Sequence, residues 1–179
     1  MQELYGGIII PEAVKLELTG VDIPVAGATE VQTQNWIQTR SVVNQELVTT
    51  LRLEIDEGEA EAIALAIELN AQLLLIDEHL GRTVASRLGL KFTGVLGVLL
   101  EAKSNGLITA VKPLLDNLIV QAGFWVTEAL YNRVLQMADE ASSELRPFPL
   151  PTLAPPAELL ASQLHDFSQS ISAVAELLN

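Results

Sequence analysis

The chain contains no cysteine. Disulfides, thiolate zinc sites and cysteine nucleophiles are excluded together. Histidine is nearly absent: only His79 and His165 occur, and neither sits in an HxxxH or HExxH spacing, which argues against zinc. Aromatic residues make up 4% of the chain, too few for a base-stacking stripe that grips single strands. There is no GxxxxGK(S/T), no GxGxxG and no GxSxG, which disfavours P-loop hydrolysis, dinucleotide binding and a nucleophile elbow. No apolar run approaches the roughly 20 residues that span a bilayer. The opening "MQELYGG" has no basic region and no cleavage site, so no signal peptide is expected, and the expected compartment is the cytoplasm.

Positive charge is also scarce. Ten Lys and Arg face 23 Asp and Glu, for a net charge of −13. Such a surface repels duplex nucleic acid. It suits solubility or a basic partner, and it leaves room for an enzyme that reaches phosphates through bound divalent cations. The length of 179 residues and 49% hydrophobic content suffice for one domain with a sizeable core.

Apolar runs and helical patterns alternate along the chain. Residues 7–10 read as a strand, with Pro11 in the first turn of the following helix. Residues 19–34 read as a loop carrying a short helix, and 35–43 as a second strand. Residues 44–55 look helical. "DEGEAEAIALAIELN" is a stronger helix, with Asp56 as N-cap, Glu59 three residues on, and Asn70 at its end. "AQLLLID" is a strand of the fully buried type. A short helix ending near Gly89, a strand at 91–95, and helices over 96–108, 111–123 and 127–141 complete the domain. This order predicts an α/β fold with a largely parallel sheet, in which sites form beyond the carboxyl ends of strands. We place the domain at 1–144, a proline-rich linker at 145–156, and an amphipathic tail helix at 157–179.

Candidate chemistry concentrates in carboxylates. Asp77 closes a buried strand, where an acid needs a partner or a metal. Glu78 beside it is a second ligand or an exposed residue. Glu59 is either a ligand or the partner of Asp56 in a capping box, and Glu61 competes with it. Glu17, on the first helix after the "III" strand, is a ligand or a solvated glutamate. Hard cations such as Mg²⁺ or Mn²⁺ take clusters of such oxygens. Arg82 faces a phosphate, or pairs with Asp77 or Glu78.

Three stretches carry a family likeness. "IIIPEAVKLEL", "IDEGEAEAIALAIELNAQLLLIDEHLGRTVASRLGLKFTGVLGVLLEAKSNGLI" and "VKPLLDNLIVQAGFWVTEALYNRVL" together resemble the PIN-like proteins of the DUF3368 group, relatives of VapC-type toxins. The resemblance covers residues 4 to about 140. It implies a three-layer PIN fold and three or four acids binding Mg²⁺ or Mn²⁺ for RNA cleavage. By motif position, Glu17, Glu59 (or Glu61) and Asp77 with Glu78 match the family's acids. It also implies an RNA substrate and a cognate antitoxin. In one respect the chain departs from the pattern. PIN-like chains usually open with a strand ending in Asp, of the type "SDTSPLI", whereas this chain opens at "MQELYGG". The expectation is a fold lacking its first strand and first acid, with two sheet edges unpaired. Strand exchange or homo-oligomerisation is the expected compensation. The alternative function is a catalytically inactive nucleic-acid-binding or interaction module.

Overall fold

The computed structural model describes residues 1–20, 27–121 and 123–140. The expected linker at 145–156 and tail helix at 157–179 lie outside the described residues.

The chain opens with a short helix, α1 (Gln2–Tyr5), followed by strand β1 (Ile8–Pro11) and helix α2 (Glu12–Thr19). Helix α1 was not expected. Met1 and its neighbours Leu4 and Tyr5 pack into an apolar cluster made by residues far along the chain, a contact that local pattern does not announce. Pro11 also differs from expectation. It ends β1 opposite Arg40 and caps α2 from outside, at φ −72° and ψ 165°. Its missing N–H is harmless at a strand end.

Helix α3 (Ala28–Thr33) precedes strand β2 (Ile37–Arg40). Helix α4 (Gln45–Leu51) starts at Asn44, whose side chain accepts from Leu47 N–H. It is shorter than the 44–55 pattern, because residues 52–54 form turns. Helix α5 (Glu57–Glu68) begins as expected, with Asp56 accepting from Glu59 N–H. It ends where Asn70 turns to φ +49°, a left-handed conformation that asparagine tolerates.

Strand β3 (Leu74–Leu75) is much shorter than "AQLLLID", yet the ladder continues at Ile76, whose N–H donates to Thr93. Helix α6 (His79–Arg87), strand β4 (Phe92–Thr93) and helix α7 (Val95–Ser104) follow. Gly89, at φ +73°, ends α6 as expected. Helices α8 (Lys112–Gln121) and α9 (Glu128–Met137) close the described domain, α9 capped by Thr127.

The pairing is parallel, as the alternation of strands and helices requires. Among the described residues, however, it forms two sheets of two strands, β1 with β2 and β3 with β4, rather than one. Strand alternation assigns the layers. Leu74 and Ile76 enter the core beneath α4, α5 and α6, with Ile63 and Val84. Leu75 faces the other core, built by α7, α8 and α9 around Leu99, Leu115 and Leu118. Helices thus cover both faces of a parallel core, an α/β layering consistent with a PIN-like fold. No helix among the described residues is long and apolar enough to cross a membrane.

Candidate metal centre

The carboxyl ends of β1 and β3 and the amino end of α5 meet at one place. Asp56 and Glu59 occupy the N-cap and the first turn of α5. Glu78 ends the segment after β3 and serves as the N-cap of α6, its side chain making no cap hydrogen bond. An oxygen from each of these three acids lies within 4.8 Å of the others. Glu17 of α2 lines the same small pocket, over a floor of Ala62, Leu75 and Ile76.

Two neighbours bring these groups close. Gly58 lies against Glu17: a β-carbon there would sit 3.2 Å from its carboxylate. Gly81 of α6 packs onto Glu59, and a β-carbon there would collide with Glu59 Oε1 and with Ile76. Gly81→Ala is therefore expected to force α6 from α5. A thermal melt should show a loss of about 1–3 kcal/mol, the usual cost of overpacking a tight contact. An unchanged melting temperature would mean that the helices part easily.

The electrostatics are one-signed. Glu59 is only 8% exposed, and its Oε1 has no hydrogen-bond partner among the described residues. Burial first, then the charges of Asp56 and Glu78, push its carboxyl up to about 8. Burial and Asp56 likewise raise Glu78. Glu17 is raised by burial and then by Asp56, Glu57 and Glu61. A buried carboxylate oxygen without a donor is costly. With the partly buried Asp56 and Glu78 beside it, this oxygen is what a hard divalent ion satisfies, so the donor set fits Mg²⁺ or Mn²⁺.

Among the acids expected from the sequence, Glu59 and Glu78 come together, and Glu17 borders them. Glu61 does not join the three: its side chain accepts from Ala13 N–H at 3.0 Å and so ties α5 to the start of α2. Asp77 is engaged elsewhere. Its Oδ1 accepts from Arg82 Nη2 at 2.7 Å and its Oδ2 from Val95 N–H at 2.8 Å. Arg82 Nε also donates to the Ile76 carbonyl at 3.0 Å. Burial raises the Asp77 carboxyl, against the pull of Val95 and Arg82. Arg82 thus takes the ion-pair alternative, with Asp77 as its partner. Gly94 makes room for the pair, since a β-carbon there would strike both side chains. The clamp staples the β3–α6 turn to the start of α7 and sets the position of Glu78.

Asp56 is the member that sequence reasoning passed over. It was read as a helix cap, which it is, yet a cap residue shares its helix end with the residue three positions on. The pairing of Asp56 with Glu59 was the available signal.

The family described as PIN domain, DUF3368, matches residues 1–140. Among curated proteins and solved structures no match is found. The family match spans more than three quarters of the 179 residues and contains every acid of the cluster, so the chain belongs to the DUF3368 family of PIN domains.

Proposed function

We propose that this protein is a metal-dependent endoribonuclease, the toxic half of a toxin–antitoxin pair. The observation that carries the reading is the orphaned Oε1 of Glu59, buried beside Asp56 and Glu78. Asp56, Glu59 and Glu78 would hold the ion. Bound there, Mg²⁺ or Mn²⁺ supplies charge neutralisation at a phosphodiester and lowers the pKa of water. Glu17, its carboxyl raised by burial, stands at the pocket edge and is placed to accept the proton of an attacking water. The Asp77–Arg82 clamp positions Glu78 rather than touching substrate. A net charge of −13 makes RNA binding depend on the ion, since an ion-free surface repels phosphate.

Incubation with a single-stranded RNA oligonucleotide tests the reading. Cleavage is expected with Mn²⁺ and none in a chelator, and Glu78→Gln should reduce the rate by roughly 100-fold, at the upper end of what even outer-shell partners of a metal contribute. Cleavage that persists in chelator would refute it. One observation favours a second reading, an inactive binding or interaction module: the two sheets are not joined among the described residues. That reading predicts Mn²⁺ binding without turnover.

A further inference from the structure

Folded proteins bury most of the surface of a tryptophan, yet Trp125 is 75% exposed. Its neighbours fix where it stands. Phe124 and Val126, on either side, turn inward and join the core built by α7, α8 and α9. Phe124 N–H donates to the Leu118 carbonyl at 3.0 Å, and Thr127 caps α9 directly afterwards. The backbone is thus anchored before and after the indole.

Helix directions give the position of the indole in the fold. The start of α8 meets the end of α9: Glu140 accepts from Val111 N–H at 2.7 Å and from Lys112 N–H at 2.8 Å. Further along the pair, Tyr131 donates to Asp116 at 2.5 Å. The two helices are therefore antiparallel, and residues 123–127 lie at the end away from Glu140. Lys103, in the last turn of α7, donates to Glu140 at 2.6 Å and to the Ala138 carbonyl. The last turn of α7 thus sits at the Glu140 end. Its first turn, where Val95 N–H donates to Asp77, sits at the other. Helices α7 and α9 have ten residues each, so both span about 15 Å. Trp125 consequently stands at the same end of the layers as the Asp77–Glu78 turn and the acid cluster.

The opposite side of the cluster carries a cation. Arg40 closes β2 at its carboxyl end, in register with Pro11, from which α2 leads to Glu17. Arg52, Arg82, Arg87, Lys103 and Lys112 are spent on ion pairs. Arg40 is exposed and in no ion pair among the described residues. Lys91 is exposed and unpaired in the same sense, but it precedes β4, at the amino end of the strands.

An outward indole, a bare guanidinium and acids between them specify a ligand. An unpaired nucleobase offers a flat face to the indole, and its backbone offers phosphates to the guanidinium. A duplex keeps its base faces stacked internally, so the strand must be single. One platform does not make a stripe, but it fixes one base. Val120, in the last turn of α8, and Leu130, in the first turn of α9, are also exposed, which would suit a second copy of this chain. The shared end with the acids and the unpaired Arg40 favour the nucleic acid.

We infer that an RNA single strand crosses the acid pocket with one unpaired base stacked on Trp125 and a neighbouring phosphate held by Arg40. The inference rests on the nuclease reading and adds the residues that hold the strand.

The test titrates an unstructured RNA octamer into the Trp36→Phe protein in Ca²⁺, where Trp125 is the one tryptophan left, and times cleavage of the same RNA in Mn²⁺. RNA should quench the Trp125 emission. In the parent, Trp125→Ala should weaken RNA binding by about tenfold, with the loss in cleavage falling on KM rather than kcat, and Trp125→Phe should stay within about threefold. The slope of log affinity against log salt should fall by about 0.7 in Arg40→Ala and stay unchanged in Lys91→Ala. Unquenched emission overturns the proposal, as does a Trp125→Ala variant that binds RNA as tightly as the parent. An equal fall in slope for both cation variants overturns the role of Arg40. A dimer in light scattering that Trp125→Ala breaks, with RNA binding unchanged, gives the indole to a second copy instead. Quenching and the tenfold loss without any cleavage in Mn²⁺ leave the strand site standing and sink the nuclease reading alone.

Discussion

Glu59→Gln is expected to cut Mn²⁺-dependent RNA cleavage by roughly 100-fold or more, while stabilising the ion-free protein at pH 8. Both effects follow from one buried carboxyl. As an ion ligand, Glu59 supplies an oxygen that a neutral amide replaces poorly, and even outer-shell partners of a metal contribute 10–100-fold. In the ion-free protein the same group is a burden. Its pKa rises from 4.5 to about 8 on folding, by burial and by Asp56 and Glu78. The folded state therefore holds the proton more tightly than the unfolded chain does. The contribution of Glu59 to stability is greatest below about pH 4.5 and is lost as pH rises toward 8. Each pH unit in that window costs up to about 1.4 kcal/mol, or a few kcal/mol in all. The raised carboxyls of Glu17 and Glu78 act in the same direction. Glutamine removes the ionisation, and its amide N–H groups donate to the neighbouring carboxylates. Thermal melts at pH 5, 7 and 9, with and without Mn²⁺, read the effect. The parent should lose stability with pH and regain it with Mn²⁺, whereas the variant should show a flatter curve and little response to the ion. A parent curve that is flat between pH 5 and 8 would show that Glu59 is not held in the protonated form.

Asp77→Ala has the second largest expected effect, and it falls on stability. The substitution leaves the Arg82 guanidinium and the Val95 N–H without their acceptors. Asp77's side chain is 15% exposed and Arg82's 38%, so the arginine regains some water and the N–H regains less. A loss of about 2–3 kcal/mol is expected. In a domain of this size that lowers the melting temperature by roughly 5–10 °C. Asp77→Asn, which keeps one acceptor, should lose about half as much. Mn²⁺ affinity, measured by calorimetry on the folded Asp77→Asn variant, should fall by no more than about tenfold, the low end of what outer-shell partners contribute, because the asparagine still holds the turn that presents Glu78. The opposite pattern, unchanged stability with lost Mn²⁺ binding, would make Asp77 an ion ligand and refute its role as a clamp.

Part of the acidic cluster is legible in the sequence. Asp77 is its sharpest candidate, Glu59 is a ligand or a capping-box partner, and Glu78 is a second ligand or an exposed residue; of these, Glu59 and Glu78 meet in the cluster. The N-cap bond of Asp56 was predicted from spacing and is present at 2.8 Å. The division of labour between adjacent acids was not legible. Asp77 and Glu78 are neighbours in sequence, and nothing local says which one faces the cluster. That depends on Arg82, five residues away, and on Val95, eighteen away, arriving at the same spot. Glu61 shows the same limit. Two residues from Glu59 on one helix, it points to α2 and is spent on Ala13.

The sequence by itself determined the alternation of strands and helices from β1 onward, the ends of α5 and the end of α6, the parallel pairing and the acidic character of the centre. These rest on short-range rules: a cap bonds three residues on, alternation sends apolar residues to opposite layers, and αL turns accept Asn and Gly. Only the tertiary structure decided that Asp56 joins Glu59 and Glu78, that Asp77 belongs to Arg82, and that β1 and β3 lie in separate sheets among the described residues. Each of those outcomes depends on groups brought together by packing, and packing distances are not written in local spacing.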